Sequence, residues 1–189
     1  MEAFLISTGV VALAEMGDKT QLLSLVLAAR FRKPVPIILG ILAATLLNHA
    51  FAGAVGAWVM QALGPDIMRW VIGIGFLIMA GWTLIPDTLD DDELPLTRYG
   101  VFGATFIAFF IAEMGDKTQV ATVALAAQYA SLFAVVAGTT LGMMLANAPV
   151  VLLGERITQR IPLKVIHPVT AVLFAVMGVA VLFNLGSLF

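Results

Sequence analysis

The chain has 189 residues, 61% of them hydrophobic and 12% charged, with a net charge of −2 and a mean hydropathy of +1.03. Soluble domains carry roughly 25% charged residues, so there is too little charge here to coat a globule of this size, and no excess of basic residues to bind nucleic acid. With no cysteine it is not a disulfide-stapled secreted domain either, which leaves an integral membrane protein.

Six apolar stretches follow one another: 3–29, 35–63, 67–85, 99–128, 131–153 and 165–185. Each is close to or above the roughly 20 residues that cross a bilayer as a helix. Arg30, Arg32, Lys33 and Pro34 stop the first, because cations resist burial and proline disfavours helix at the residue before it. Gly64-Pro65-Asp66 separates the second from the third. Pro86 to Arg98 is the longest connection, Gln128 to Ser131 the shortest, and Glu155 to Lys164 the last. The first stretch begins on Met1-Glu2-Ala3, acidic where a signal peptide is cationic, and runs past any cleavage point. No stretch alternates polar and apolar residues as a barrel strand does. The expected fold is an all-α integral membrane bundle of six transmembrane helices with short loops. The connections after spans one, three and five hold seven cations, whereas the other side holds only Arg69. By the positive-inside rule both termini are expected on the extracytoplasmic side.

The most informative feature is a self-match. Glu15-Met16-Gly17-Asp18-Lys19-Thr20-Gln21 recurs letter for letter as Glu113-Met114-Gly115-Asp116-Lys117-Thr118-Gln119, an offset of 98. Leu27-Ala28-Ala29 matches Leu125-Ala126-Ala127, and Gly40 and Gly56 match Gly138 and Gly154 at the same offset. The chain therefore divides into an N-terminal three-helix repeat (1–86), an acidic linker (87–98) and a C-terminal three-helix repeat (99–189). Three spans per half is an odd number, so the halves are expected to insert as inverted repeats, an architecture of secondary transporters with the site between repeats near the midplane.

Both motifs fall about midway along their spans. A central Asp, Lys or Arg costs ~2.5–3.5 kcal/mol to insert, so six unpaired charges would cost on the order of 15–20 kcal/mol. They must face one another, a wet cavity or an ion. On a continuous helix Glu15, Asp18 and Lys19 share a sector of about 100°, as do Glu113, Asp116 and Lys117. Gln21 and Gln119 would extend the oxygen-rich edge as further ligands. Gly17 and Gly115 would let the helix open and bare its carbonyls. Four carboxylates and two lysines sum to −2, so one divalent cation neutralises the cluster and two protons do the same when the ion leaves. Exchange of a metal for protons through one alternating-access site follows.

Two Glu-x-Gly-Asp-[Lys/Arg]-[Thr/Ser] motifs in a small six-span chain resemble the MneA-like family of membrane cation/proton exchangers, which includes bacterial manganese exporters and Golgi manganese/calcium transporters. The resemblance covers essentially the whole chain. It implies export of Mn²⁺, with Ca²⁺ as the alternative substrate, in exchange for protons across a bacterial inner membrane. The motif acids would be the ligands, and no cofactor is implied.

Asn48 and His49 lie mid-span two, and His49 matches Asn147 at the same offset. As additional ligands they would favour a transition metal, since imidazole nitrogen suits Mn²⁺ better than Ca²⁺; as ordinary bundle residues they would hydrogen-bond between helices. Thr20 and Thr118 sit ~140° round a continuous helix from the glutamates, so their hydroxyls are expected on the helix backbone or the neighbouring repeat, with ligation secondary. Asp87 and residues 90–93 make the linker acidic on the expected cytoplasmic side, where they could gather cations. The expected partners are a divalent metal ion, protons and the lipid bilayer, with a homodimer left open. The competing readings are a cation channel, which the lysines oppose by competing with the ion, an exporter of small cationic solutes or amino acids, and an intramembrane enzyme, for which no nucleophile–base set is present.

Overall fold

The computed structural model describes residues 1–85, 99–154 and 163–184. The acidic linker, most of the last polar connection and the end of the sixth stretch at Leu185 lie outside these residues. Among the described residues there are seven helices and no strand: α1 (Glu2–Glu15), α2 (Lys19–Phe31), α3 (Pro34–Trp82), α4 (Gly100–Glu113), α5 (Lys117–Gln128), α6 (Leu132–Leu153) and α7 (Leu163–Leu182). Three are long and apolar enough to cross a membrane: the Pro34–Gly64 limb of α3, α6, and Val165–Leu182 of α7.

Helix boundaries depart from the six-stretch reading at the motifs. The first and fourth stretches are each two helices, α1 with α2 and α4 with α5, separated there. The second and third stretches are the two limbs of α3, separated as expected at Gly64, which leaves the helical region with φ 75 and ψ 168. Pro65 follows at the first position of the second limb, where its missing N–H is not needed, so the bend interrupts few hydrogen bonds. The short break before α6 is real: Tyr129 is extended, and Ser131 Oγ accepts the Ala134 N–H at 3.4 Å to start the helix.

Polarity runs inside out. Phe51 and Trp58 are 67% and 68% exposed, whereas Glu15 is 0% and Glu113 1% exposed. Apolar side chains turned outward on long helices suit hydrocarbon as solvent, and polar groups gathered inside find partners there.

The sequence repeat recurs in three dimensions. α1 (Glu2–Glu15) and α4 (Gly100–Glu113) have equal length and the offset of the sequence repeat. Contacts between the halves come in swapped pairs. A Cβ on Gly40 of α3 would lie 2.9 Å from the Phe102 carbonyl and 2.8 Å from Thr105 Cβ; one on Gly138 of α6 would lie 2.5 Å from the Phe4 carbonyl and 3.0 Å from Ser7 Cβ. Phe4 and Ser7 are the counterparts of Phe102 and Thr105. Phe76 stacks on its own counterpart, Phe174, at 6.0 Å between centroids. Equivalent positions of the two matched sequence segments thus make matching contacts with each other's helices. Small residues at these crossings let the helix backbones approach closely.

Candidate metal centre

The chain leaves the helix at each motif in the same way. Met16 is extended (φ −66, ψ 111), Gly17 takes φ 86, and Asp18 is extended (φ −79, ψ 168). Met114 (φ −65, ψ 120), Gly115 (φ 76) and Asp116 (φ −77, ψ 165) repeat it. The positive φ at the central residue is what glycine supplies and other residues resist. The glycine opening expected from the sequence is thus a full break, with each aspartate at the N-cap of the second half-helix.

The break redirects every side chain that a continuous helix would place. Thr20 and Thr118 are the clearest correction: each hydroxyl donates to the glutamate of its own motif, Thr20 to Glu15 Oε2 and Thr118 to Glu113 Oε1. The ~140° separation does not apply, because the turn between Glu and Thr is not helical. Gln21 and Gln119 turn their side-chain oxygens onto the breaks, accepting the N–H of Gly17 at 3.0 Å and of Gly115 at 2.7 Å. They hold the openings that the glycines make, and Gln21 Nε2 also donates to the Ala146 carbonyl of α6 at 3.1 Å.

Glu15, Glu113 and Asp116 converge. Each is buried and offers a carboxylate oxygen, and these three oxygens lie within 4.8 Å of one another. Glu15 Oε1 and Glu113 Oε2 are buried without a hydrogen-bond partner. Such close, water-excluded carboxylates repel one another unless a cation or protons sit between them. Glu15 and Glu113 occupy the same position in the two copies of the motif, so the cluster draws on both copies.

Around this centre the halves exchange partners. Lys19 Nζ is 3.3 Å from Asp116 Oδ1, and Lys117 Nζ is 2.8 Å from Asp18 Oδ1. His49 Nε2 lies 3.4 Å from Glu113 Oε1, and Asn147 Nδ2 donates to Glu15 Oε2 at 3.5 Å. Both residues at this repeat position therefore reach the glutamate of the opposite half. Asn48 does not: its amide donates to the Phe110 carbonyl at 3.2 Å and ties α3 to α4.

Sequence reasoning missed Ser24, whose hydroxyl donates to Asn147 Oδ1 at 2.7 Å and orients that amide. Its counterpart, Thr122, also carries a hydroxyl, so the repeat held a signal. Thr20→Val or Thr118→Val removes a donor to a buried carboxylate, a bond of about 1.5–3 kcal/mol. Each is expected to weaken metal affinity by about tenfold or more in a Mn²⁺ binding titration, with Thr→Ser staying within about twofold.

A model of a known family, described as the divalent cation/proton antiporter GDT1, matches this chain over residues 3–91 and 101–187. The chain belongs to the GDT1 family. A Vibrio cholerae protein named "Putative manganese exporter" is 57% identical over 97% of this chain and 92% of its own length. A GDT1-like protein of Synechocystis is 26% identical over 95% of this chain and 96% of its own. GDT1-like protein 3 of Oryza sativa is 23% identical over 92% of this chain and 71% of its own. No solved structure matches. As a GDT1 family member the chain is a membrane transporter of cations and not an enzyme.

Proposed function

We propose that this transporter exports Mn²⁺ from the bacterial cytoplasm across the inner membrane in exchange for protons, by alternating access at the centre between its halves. The observation that carries the reading is the buried trio of Glu15, Glu113 and Asp116, drawn from both copies of the motif. Two half-helices in series, α1 with α2 and α4 with α5, each complete one crossing: 14 residues rise only about 21 Å, short of the roughly 30 Å hydrocarbon layer, whereas a pair spans it. Six crossings in two halves then give inverted repeats of residues 1–86 and 99–189, with both termini extracytoplasmic. His49 brings an imidazole to the edge of the centre, 3.4 Å from Glu113, which favours Mn²⁺ over Ca²⁺. The trio with Lys19 sums to −2, so one divalent ion neutralises it, and protons on the carboxylates take its place on the return.

Purified protein in liposomes tests this directly. An acid-inside pH gradient is expected to drive Mn²⁺ uptake, with Ca²⁺ at equal concentration carried more slowly. Uptake indifferent to the gradient would sink the exchange, and faster Ca²⁺ than Mn²⁺ flux would sink the metal assignment.

A further inference from the structure

The halves match in sequence and contact pattern, yet the interfaces they swap are not in the same state. Where α3 crosses α5, Gly56 lies directly against the Val123 carbonyl. The counterparts of these residues are Gly154 and Leu25, at the crossing of α6 and α2. There a cavity of about 460 Å³ lies between the end of α6 and α2, lined by Leu25, Ala28, Arg32, Val151 and Gly154 among others, and a Cβ on Gly154 would meet nothing within 4 Å.

The centre shows the same asymmetry. Lys117, at the start of α5, is 4% exposed and 2.8 Å from Asp18, whereas Lys19, at the start of α2, is 21% exposed and 3.3 Å from Asp116. Asp116 belongs to the converging trio; Asp18 stands outside it. A lysine held close to an aspartate competes with a cation for that carboxylate, and does so best where water is excluded. On the closed side the short, buried Lys117 pair withholds Asp18, while beside the cavity Asp116 keeps a longer, more exposed pair with Lys19 and still offers an oxygen to the centre.

We propose that Asp18 and Asp116 serve the ion alternately, never together. With α2 and α6 apart the ion is held by Glu15, Glu113 and Asp116. When α2 closes on α6 and α5 parts from α3, Lys19 withdraws Asp116 and Lys117 yields Asp18, which takes the third place. Charge is conserved throughout: one Lys–Asp pair is neutral in either state, and three carboxylates with one lysine leave −2 to match the ion. The two glutamates stay with the ion while the aspartates hand it over. This rests on the exporter reading, because only a transported ion needs both arrangements.

The chain contains no cysteine, so an engineered pair can be placed without background. Leu25→Cys with Val151→Cys spans the cavity and should form a disulfide under mild oxidation only as α2 closes on α6. Mn²⁺ binding to the full chain in detergent is then measured with and without the bridge. Unbridged, Asp116→Asn is expected to weaken binding about tenfold or more and Asp18→Asn less than about threefold; bridged, the order reverses. Equal losses from both variants in both forms, or no bridge under any oxidant, would overturn the proposal. Wild-type protein that binds Mn²⁺ but does not exchange it for protons overturns the exporter reading instead, so the two failures are separable. Steady turnover visits both states, so both aspartate variants slow net exchange comparably, and only the state-resolved binding separates them.

Discussion

Glu15→Gln or Glu113→Gln reduces Mn²⁺ flux at least about a hundredfold, close to the background of empty liposomes, and a transporter-deficient host carrying either variant stays metal-sensitive. Removing even a residue that only supports a metal ligand typically costs ten- to a hundredfold, and these two buried carboxylates converge from the two copies of the motif. The double variant is expected to be no worse than either single one, because the two act as one unit and their losses do not add. Thermal stability of the purified protein should hold or rise, since each change relieves repulsion within a cluster whose Glu15 Oε1 and Glu113 Oε2 lack partners. Activity and stability moving in opposite directions is the mark of a site maintained for its ligand. Flux above about half of wild type in either variant would remove the glutamates from the transport path.

The second large effect is structural. Gly56→Val places new carbon on the Val123 carbonyl, which belongs to the α5 backbone and cannot rotate away as a side chain would. Overpacking typically costs about 1–3 kcal/mol, and backbone contact puts this case at the upper end. The variant is expected to accumulate poorly in the membrane, with an earlier unfolding transition in a denaturing-detergent titration. Any fraction that folds should transport poorly, because α5 begins at Lys117 and carries it toward Asp18. Gly75→Ala is the control: a Cβ there meets nothing within 4 Å, and alanine favours helix over glycine by about 1 kcal/mol. Wild-type stability in Gly56→Val would show that α3 and α5 are not tightly apposed.

Membrane character is legible at once, because so little charge on such long apolar runs suits hydrocarbon and almost no other surroundings. So is the offset, since letter-for-letter identity needs no geometry to detect. The motif acids stand out because ionisable groups in mid-span are costly unless they are used. A continuous helix is the assumption that fails. Helical angle alone points Thr20 and Thr118 away from the glutamates, although a glycine with positive φ lies between each Thr and its Glu and brings the two together. Gln21 and Gln119 have the spacing of ligands, and only the fold shows their oxygens accepting the Gly17 and Gly115 N–H groups across the breaks. The Gly64 break is legible in Gly64-Pro65-Asp66, whereas the role of Ser24 has only a weak sequence signal.

By itself, then, the sequence determined that the chain is a membrane bundle built of two copies of one unit, with charge concentrated in both. These are properties of composition and local order, which folding does not alter. Only the tertiary structure decided that Lys19 meets Asp116 and Lys117 meets Asp18, that Glu15 and Glu113 converge, and that Gly56 packs on Val123 while a cavity lies beside Gly154 and Leu25. Identical motifs carry no information about which copy pairs with which, because that depends on how the halves pack together. Nor can identical motifs reveal that their surroundings differ: the difference lies in how the helices around them pack.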